Sequence, residues 1–335
     1  MVHVSKSPQQ LAVLGALVEG VSIRGTERLT GVCREAVLSL LVRVGNGCAA
    51  LLNERMRDLT CERLEIDELW AFVQKKQRHV RETDDESRVG DTWTYVAIDA
   101  TTKLIPCILT GKRNVEPTNT FIADLASRLR YRVQISTDGL RMCADAIGGA
   151  FPVVDYATIV KEYEAEPAGA GRYSPPKVTA TIKTPVFGAP VEELVSTSFV
   201  ERQNLTMRMQ IRRFTRLTNA HSKKLENHGT AIALHFAHYN FARIHSSLRC
   251  TPAMAAGIAS TVWSMDELFD AAMAAGGRGV KARMGRPPLA EGKAREIVFT
   301  LRVSPDERDA FVAAADRVGQ PVTQWTRGVL LGAAK

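Results

Sequence analysis

The chain has 335 residues, 45% hydrophobic and 24% charged, enough apolar content for one to three ordinary domains to bury cores. No apolar run approaches the roughly 18 residues of a membrane span, no signal region follows the first residues, and the six cysteines form no CxxC pair. These features argue against a secreted, membrane, zinc-ribbon or disulfide-scaffold protein and lead us to expect a cytoplasmic one with reduced thiols. The net charge of +8 is uneven. Residues 201–224 hold seven basic residues against one acidic and residues 277–335 eleven against six, while the rest is slightly acidic. Two basic segments offer two places to meet a phosphate backbone, although solvated faces would look the same.

Taken in chain order, residues 9–19 carry Leu11, Val13, Leu14, Leu17 and Val18 at helical spacing and predict a helix that stops at Gly20. Residues 22–29 predict a short polar helix, 30–32 a tight turn and 34–44 a second amphipathic helix. Helix, glycine-containing turn, helix is the helix-turn-helix arrangement, whose second helix can enter a major groove. Arg34 and Glu35 are then best placed to meet bases. Plain helix packing fits the pattern equally, and Cys33 is a poor N-cap. From residue 62 the period changes to that of strands, at 64–73, 92–99 and 104–110. A charged loop at 75–91, too polar to pack, separates the first two, and a short turn makes an antiparallel hairpin of the last two. An amphipathic helix at 118–130 leads to a fourth strand at 133–137, which ends at Asp138-Gly139. These elements predict an α/β domain with a sheet of mixed direction.

Residues 151–198 contain six prolines and little periodicity, and are expected to be an irregular insertion. Helices follow at 200–217 and 221–245, Thr251-Pro252 signals a restart, and a short helix carries Trp263, Leu268 and Phe269. His221, His228, His235, His238 and His245 share one helical side, which predicts packing or DNA contact rather than a metal site. Gly and Pro mark 276–294 as a linker. In 295–335, Ile297, Phe299, Leu301 and Val303 alternate with Glu296, Val298, Thr300 and Arg302, Ser304-Pro305 caps a helix at 306–318, and another helix follows at 323–331. So small a set cannot make a core alone. A ribbon-helix-helix-like unit solves this by dimerising, with Val298, Thr300 and Arg302 of the paired strands toward bases. A dimerisation appendage without DNA contact is the alternative.

Three carboxylates carry the chemistry. Asp67 lies mid-strand between Ile66 and Leu69, Asp138 ends a strand, and Glu201 opens the basic helix. Carboxylates from two strands and a helix are what a two-metal phosphoryl-transfer site requires, with Mg²⁺ ions roughly 3.5 to 4 Å apart. Any chain of this length offers many such triples, so spacing alone does not single this one out. Glu201, Asn204 and Arg208 share a helical face, and Arg212, Arg213 and Arg216 extend its charge. Asp99 fits a strand-end turn better than a fourth acid, and Trp70, Phe72 and Trp93 fit the core.

Ile66-Asp-Glu-Leu-Trp-Ala-Phe-Val, Thr137-Asp-Gly, Val200-Glu-Arg-Gln-Asn-Leu-Thr-Met-Arg, Arg213-Phe-Thr-Arg-Leu-Thr-Asn and Leu234-His-Phe-Ala-His-Tyr-Asn-Phe-Ala-Arg-Ile-His resemble the DDE transposases of the insertion-sequence-one family. The resemblance spans roughly residues 10–270, and the Glu-Arg-x-Asn-Leu-x-x-Arg block is its most specific part. It implies an RNase H-like catalytic domain over 62–275, preceded by a helix-turn-helix domain over 1–61, and a reaction of DNA cleavage and strand transfer. It also implies two Mg²⁺ ions, with Mn²⁺ as a substitute, held by the catalytic Asp67, Asp138 and Glu201. Arg208 matches the basic residue seven positions after the glutamate, and Cys143 stands where relatives carry an aromatic. The expected partners are transposon ends and target DNA, met by Arg34, Asn204, Arg208, Arg212, Arg213, Arg216, Thr300 and Arg302. A homodimer or higher homo-oligomer in the bacterial cytoplasm, at the nucleoid, would synapse two ends. The alternatives are a catalytically inactive, transposase-derived DNA-binding regulator and a nuclease without strand transfer.

Overall fold

Three helices open the chain in a computed structural model that describes residues 7–164, 177–215, 218–276 and 304–318, with Trp325, Thr326, Val329 and Gly332. α1 (Pro8–Val18) begins in a capping box between Ser7 and Gln10. α2 (Ile23–Thr30) is capped by Ser22, whose hydroxyl accepts from the Gly25 N–H at 3.0 Å. Gly31, with φ 72°, makes the left-handed turn that the pattern requires before α3 (Arg34–Arg55). α3 runs eleven residues past the expected end at Val44. Val44-Gly45-Asn46-Gly47 looks like a stop, yet these glycines are where α3 meets α7 (Leu225–Phe241) and α9 (Met265–Gly276). A Cβ at Gly45 would lie 2.5 Å from Thr230, and one at Gly47 would collide with the Ala272 carbonyl.

Continued through its glycines, α3 is long and apolar enough by length and composition to cross a membrane, which corrects the sequence expectation. Its best window has a mean hydropathy of 1.5, and 56% of that window is buried inside the protein. Val37, Leu41, Val44, Cys48 and Leu51 are all within 2% of complete burial. α3 therefore serves as the central core helix. The chain divides into two compact units, Met1–Pro287 and Pro288–Lys335. The boundary expected at residue 61 falls within the first unit, where one continuous hydrophobic cluster runs from Val13 to Ala275.

Among the described residues six strands follow: β1 (Arg63–Val73), β2 (Gly90–Asp99), β3 (Cys107–Gly111), β4 (Gln134–Thr137), β5 (Asp155–Tyr163) and β6 (Val178–Phe187). Their order is β3-β2-β1-β4-β5-β6. β1, β2 and β3 pair antiparallel, β4 and β5 extend β1 in parallel, and β6 returns antiparallel to β5. The α/β sheet of mixed direction is as expected, and so is the β2–β3 hairpin. Its turn is closed by Asp99, whose carboxylate accepts from Thr102 N–H and hydroxyl and from Thr101 N–H. Asp99 pairs with Leu64, three positions before Asp67 on β1, and its carboxylate is taken up by the turn.

Three expectations change. Residues 151–198 contribute β5 and β6 to the sheet. β6 is an edge strand exposed on both faces, so it needs no alternation, and Pro185 lies at a register irregularity where a missing N–H is tolerated. The loop at 75–91 is organised by polar bonds: Lys75 pairs with Asp84 at 2.8 Å, and Lys112 Nζ donates to the carbonyls of Val89 and Asp91 at 2.8 and 2.9 Å. The helix expected at 200–217 is α6 (Ser198–Gln210), followed by a 3-10 turn at Arg212–Phe214. α4 (Val115–Arg128) crosses from β3 to β4, and α5 (Arg141–Ala150) was not anticipated. α8 (Pro252–Ala255) starts at the Thr251 cap. In the second unit, α10 (Pro305–Arg317) has the expected Ser304 cap, reinforced by Glu307. The linker, the ribbon strand with Thr300 and Arg302, Arg216 and most of the last expected helix lie outside the described residues.

Candidate active site

The chain leaves β1 toward β3, then crosses through α4 to β4 on the opposite side of β1. In α/β sheets the crevice beyond the carboxyl ends of strands at such a reversal is where ligands bind. Ile66 and Thr137 form the last parallel pair between β1 and β4, so Asp67 and Asp138 emerge side by side at this crevice.

α6 is fastened above it by a residue of the sheet. Its N-cap, Thr197, makes no side-chain cap. Instead Glu65 of β1 accepts the N–H groups of Phe199 and Val200 at 2.7 and 3.0 Å, meeting two orphan donors at the positive end of the helix. Burial raises the Glu65 carboxyl above its ordinary range, and these two bonds oppose the rise. The anchored helix turns Asn204 inward, where its amide donates to Asp67 Oδ2 at 2.7 Å. Asn204, expected on a DNA-facing surface, is buried and orients Asp67.

Asp67, Glu68 and Asp138 each bring one carboxylate oxygen into a group whose members all lie within 4.8 Å of one another. The Glu68 side chain is 2% exposed. Its Oε2 lies 3.2 Å from Arg113 Nη2, which is also 3.9 Å from Asp138 Oδ2, and its Oε1 accepts from Cys143 Sγ at 3.6 Å. Asp67 accepts the Glu68 N–H at 2.8 Å. Burial, and then the charges of Asp138 and Glu201, push the Asp67 carboxyl up to about 6 against that hydrogen bond and Arg113. Burial and then Asp138 push Glu68 up to about 7, with Arg113 the main opposing influence. The Cys143 thiol is pushed up by burial and is no nucleophile. Three crowded carboxyl groups with one neighbouring guanidinium, offering oxygen donors only, suit a hard divalent cation such as Mg²⁺ or Mn²⁺.

Glu201 is close enough to raise Asp67 but stands outside the tight group. Its carboxylate accepts from Thr197 Oγ1 at 2.7 Å and pairs with Lys161. The structure thus joins two of the three expected acids with Glu68. Strand alternation assigns Glu68 and Asp67 to opposite faces, which hid the pairing. Because β4 ends at Thr137, Asp138 lies beyond the paired strands and within reach of both.

The expected DNA contacts differ in their surroundings. Arg34 is half exposed and pairs with Glu27 across the helix turn at 3.2 Å. Arg208 is partly buried on α6, and its carbonyl accepts from Thr215 Oγ1. Arg212 is exposed. Arg213 points inward, donating to Ser222 Oγ at 3.1 Å, and burial lowers its pKa to about 10. His228 and His235 are core residues held neutral by burial, which lowers each to about 3. No protein-family model matches the chain, and no curated protein matches it.

Proposed function

We propose that the chain is a metal-dependent DNA-cleaving and strand-joining enzyme, a DDE transposase of the kind its motifs resemble, with an RNase H-like catalytic domain. The observation that carries this reading is the convergence of Asp67, Glu68 and Asp138 at the strand-order reversal, under a helix held by Glu65 and Asn204. The mixed sheet, with Asp67 in the middle of β1 beside Asp138 at the end of the parallel β4, supports the RNase H-like assignment. Bound there, Mg²⁺ would activate an attacking hydroxyl and stabilise the leaving oxygen. Asp67, Glu68 and Asp138 would hold the ion, Asn204 keeps Asp67 in place, and Glu201 would add a fourth carboxylate if it left Lys161. Arg34 beside the α2–α3 turn and Arg212 after α6 supply cationic contacts to DNA. Transposon ends and target DNA are the substrates, and two ends call for a homo-oligomer.

The test is nicking and joining of duplexes carrying the DNA that flanks the coding sequence, with Mg²⁺ or Mn²⁺. Asp67→Asn and Asp138→Asn should abolish cleavage while DNA affinity stays within about twofold, because a metal-binding charge is lost and no basic contact is. Wild-type rates in either variant would remove that residue from the site. The Lys161–Glu201 pair favours the second reading, an inactive DNA-binding regulator, whose signature is tight DNA binding without cleavage in either ion.

A further inference from the structure

Arg113, which touches the carboxylates, also lines an open basin of about 420 Å³ walled by Trp93, Lys112, Gln77, Glu86 and Asp91 among others. Lys112 is committed to holding the loop at 75–91 through its two carbonyl bonds. Arg113 is different. Its guanidinium stacks 4.7 Å over the Trp93 ring while one nitrogen reaches Glu68 and Asp138. The side chain is 34% exposed and precedes Asn114, the N-cap of α4, whose side chain makes no cap bond.

We propose that Arg113 is a displaceable counter-cation: it neutralises the carboxylates until a divalent ion takes them, then turns its fork to a DNA phosphate in the basin. The inference rests on the metal-dependent reading above and adds a phosphate-binding residue to it. A dication brought to Asp67, Glu68 and Asp138 sets a like charge within a few ångströms of the guanidinium, weakening its hold on Glu68. The guanidinium carbon sits over Trp93 while a single nitrogen, Nη2, reaches Glu68, so breaking that one ion pair leaves the ring contact available to hold Arg113. A released planar fork at the rim of an open basin matches a phosphate in a bidentate way that Lys cannot. Ion loading and DNA engagement then favour one another, and by linkage the preference is reciprocal.

The experiment measures Mg²⁺ affinity by calorimetry on the full-length protein without DNA, and DNA affinity with Ca²⁺ in place of Mg²⁺. Arg113→Gln removes the competing charge, so Mg²⁺ should bind about tenfold tighter. DNA should bind more weakly, and its salt dependence should fall by about one phosphate. Arg113→Lys keeps the charge without the fork, so Mg²⁺ affinity should stay near wild type while DNA affinity falls. An ordinary structural ion pair gives the opposite sign, because loss of Arg113 would loosen Glu68. Unchanged or weaker Mg²⁺ binding by a folded Arg113→Gln protein overturns the proposal. If the glutamine variant does not fold, undiminished DNA affinity in Arg113→Lys overturns it alone. A wild-type protein that binds no Mg²⁺ at all would overturn the metal-dependent reading itself, which distinguishes the two failures.

Discussion

Replacing Glu68 by Gln should stabilise the metal-free protein at neutral pH and leave it unchanged in acid. Glu68 is nearly inaccessible, and burial with the Asp138 charge raises its carboxyl from an ordinary 4.5 to about 7. A carboxyl raised on folding binds more protons folded than unfolded, so its contribution to stability falls as pH rises from about 4.5 to about 7. The full interval corresponds to about 3 kcal/mol. Gln keeps the size and one acceptor for Arg113 but cannot ionise. In EDTA, urea unfolding of the two proteins should coincide near pH 4 and diverge through pH 5 to 7, with the variant about 2 to 3 kcal/mol more stable at pH 8. Added Mg²⁺ should then narrow the gap by stabilising the wild type more than the variant. A wild-type stability that is flat from pH 5 to 8, or a variant less stable at pH 8, would refute the reasoning that these carboxylates are crowded and under-compensated.

Two further outcomes test the frame around the site. Glu65→Ala should cost about 2 kcal/mol in urea unfolding, since two N–H groups at the start of α6 lose their acceptor, and a change below about 0.5 kcal/mol would show that the cap carries no weight. Gly45→Ala should destabilise by about 2 kcal/mol despite alanine's better helix propensity, because the new methyl meets Thr230, and a stabilised variant would show that α3 and α7 are not in close contact.

The strands around the site were legible because β1, β2 and β4 are well buried and carry runs of apolar and β-branched residues. Asp67 and Asp138 stood out as carboxylates set in or ending such runs. What escaped the pattern has identifiable physical reasons. Gly45 and Gly47 resemble a helix stop in sequence, and only the approach of Thr230 and Ala272 shows that they are contact points. β6 has no buried face to impose alternation. Helical periodicity placed Asn204 and Glu201 on a common face but could not say which way each side chain turns, and Asn204 turns to Asp67 while Glu201 turns to Lys161. Glu65 offered no sequence sign of its role, because its partners lie more than 130 residues away. Glu68 was hidden because strand alternation sets it and Asp67 on opposite faces, whereas one oxygen of each lies within 4.8 Å of an oxygen of Asp138.

The most direct test of the central claim is a crystal of the full-length protein soaked in Mn²⁺ and examined for anomalous scattering. A peak should stand among Asp67, Glu68 and Asp138, with Arg113 moved off Glu68, and it should be lost in Asp67→Asn. A crystal with Mn²⁺ bound elsewhere and this group still closed around Arg113 would contradict the claim.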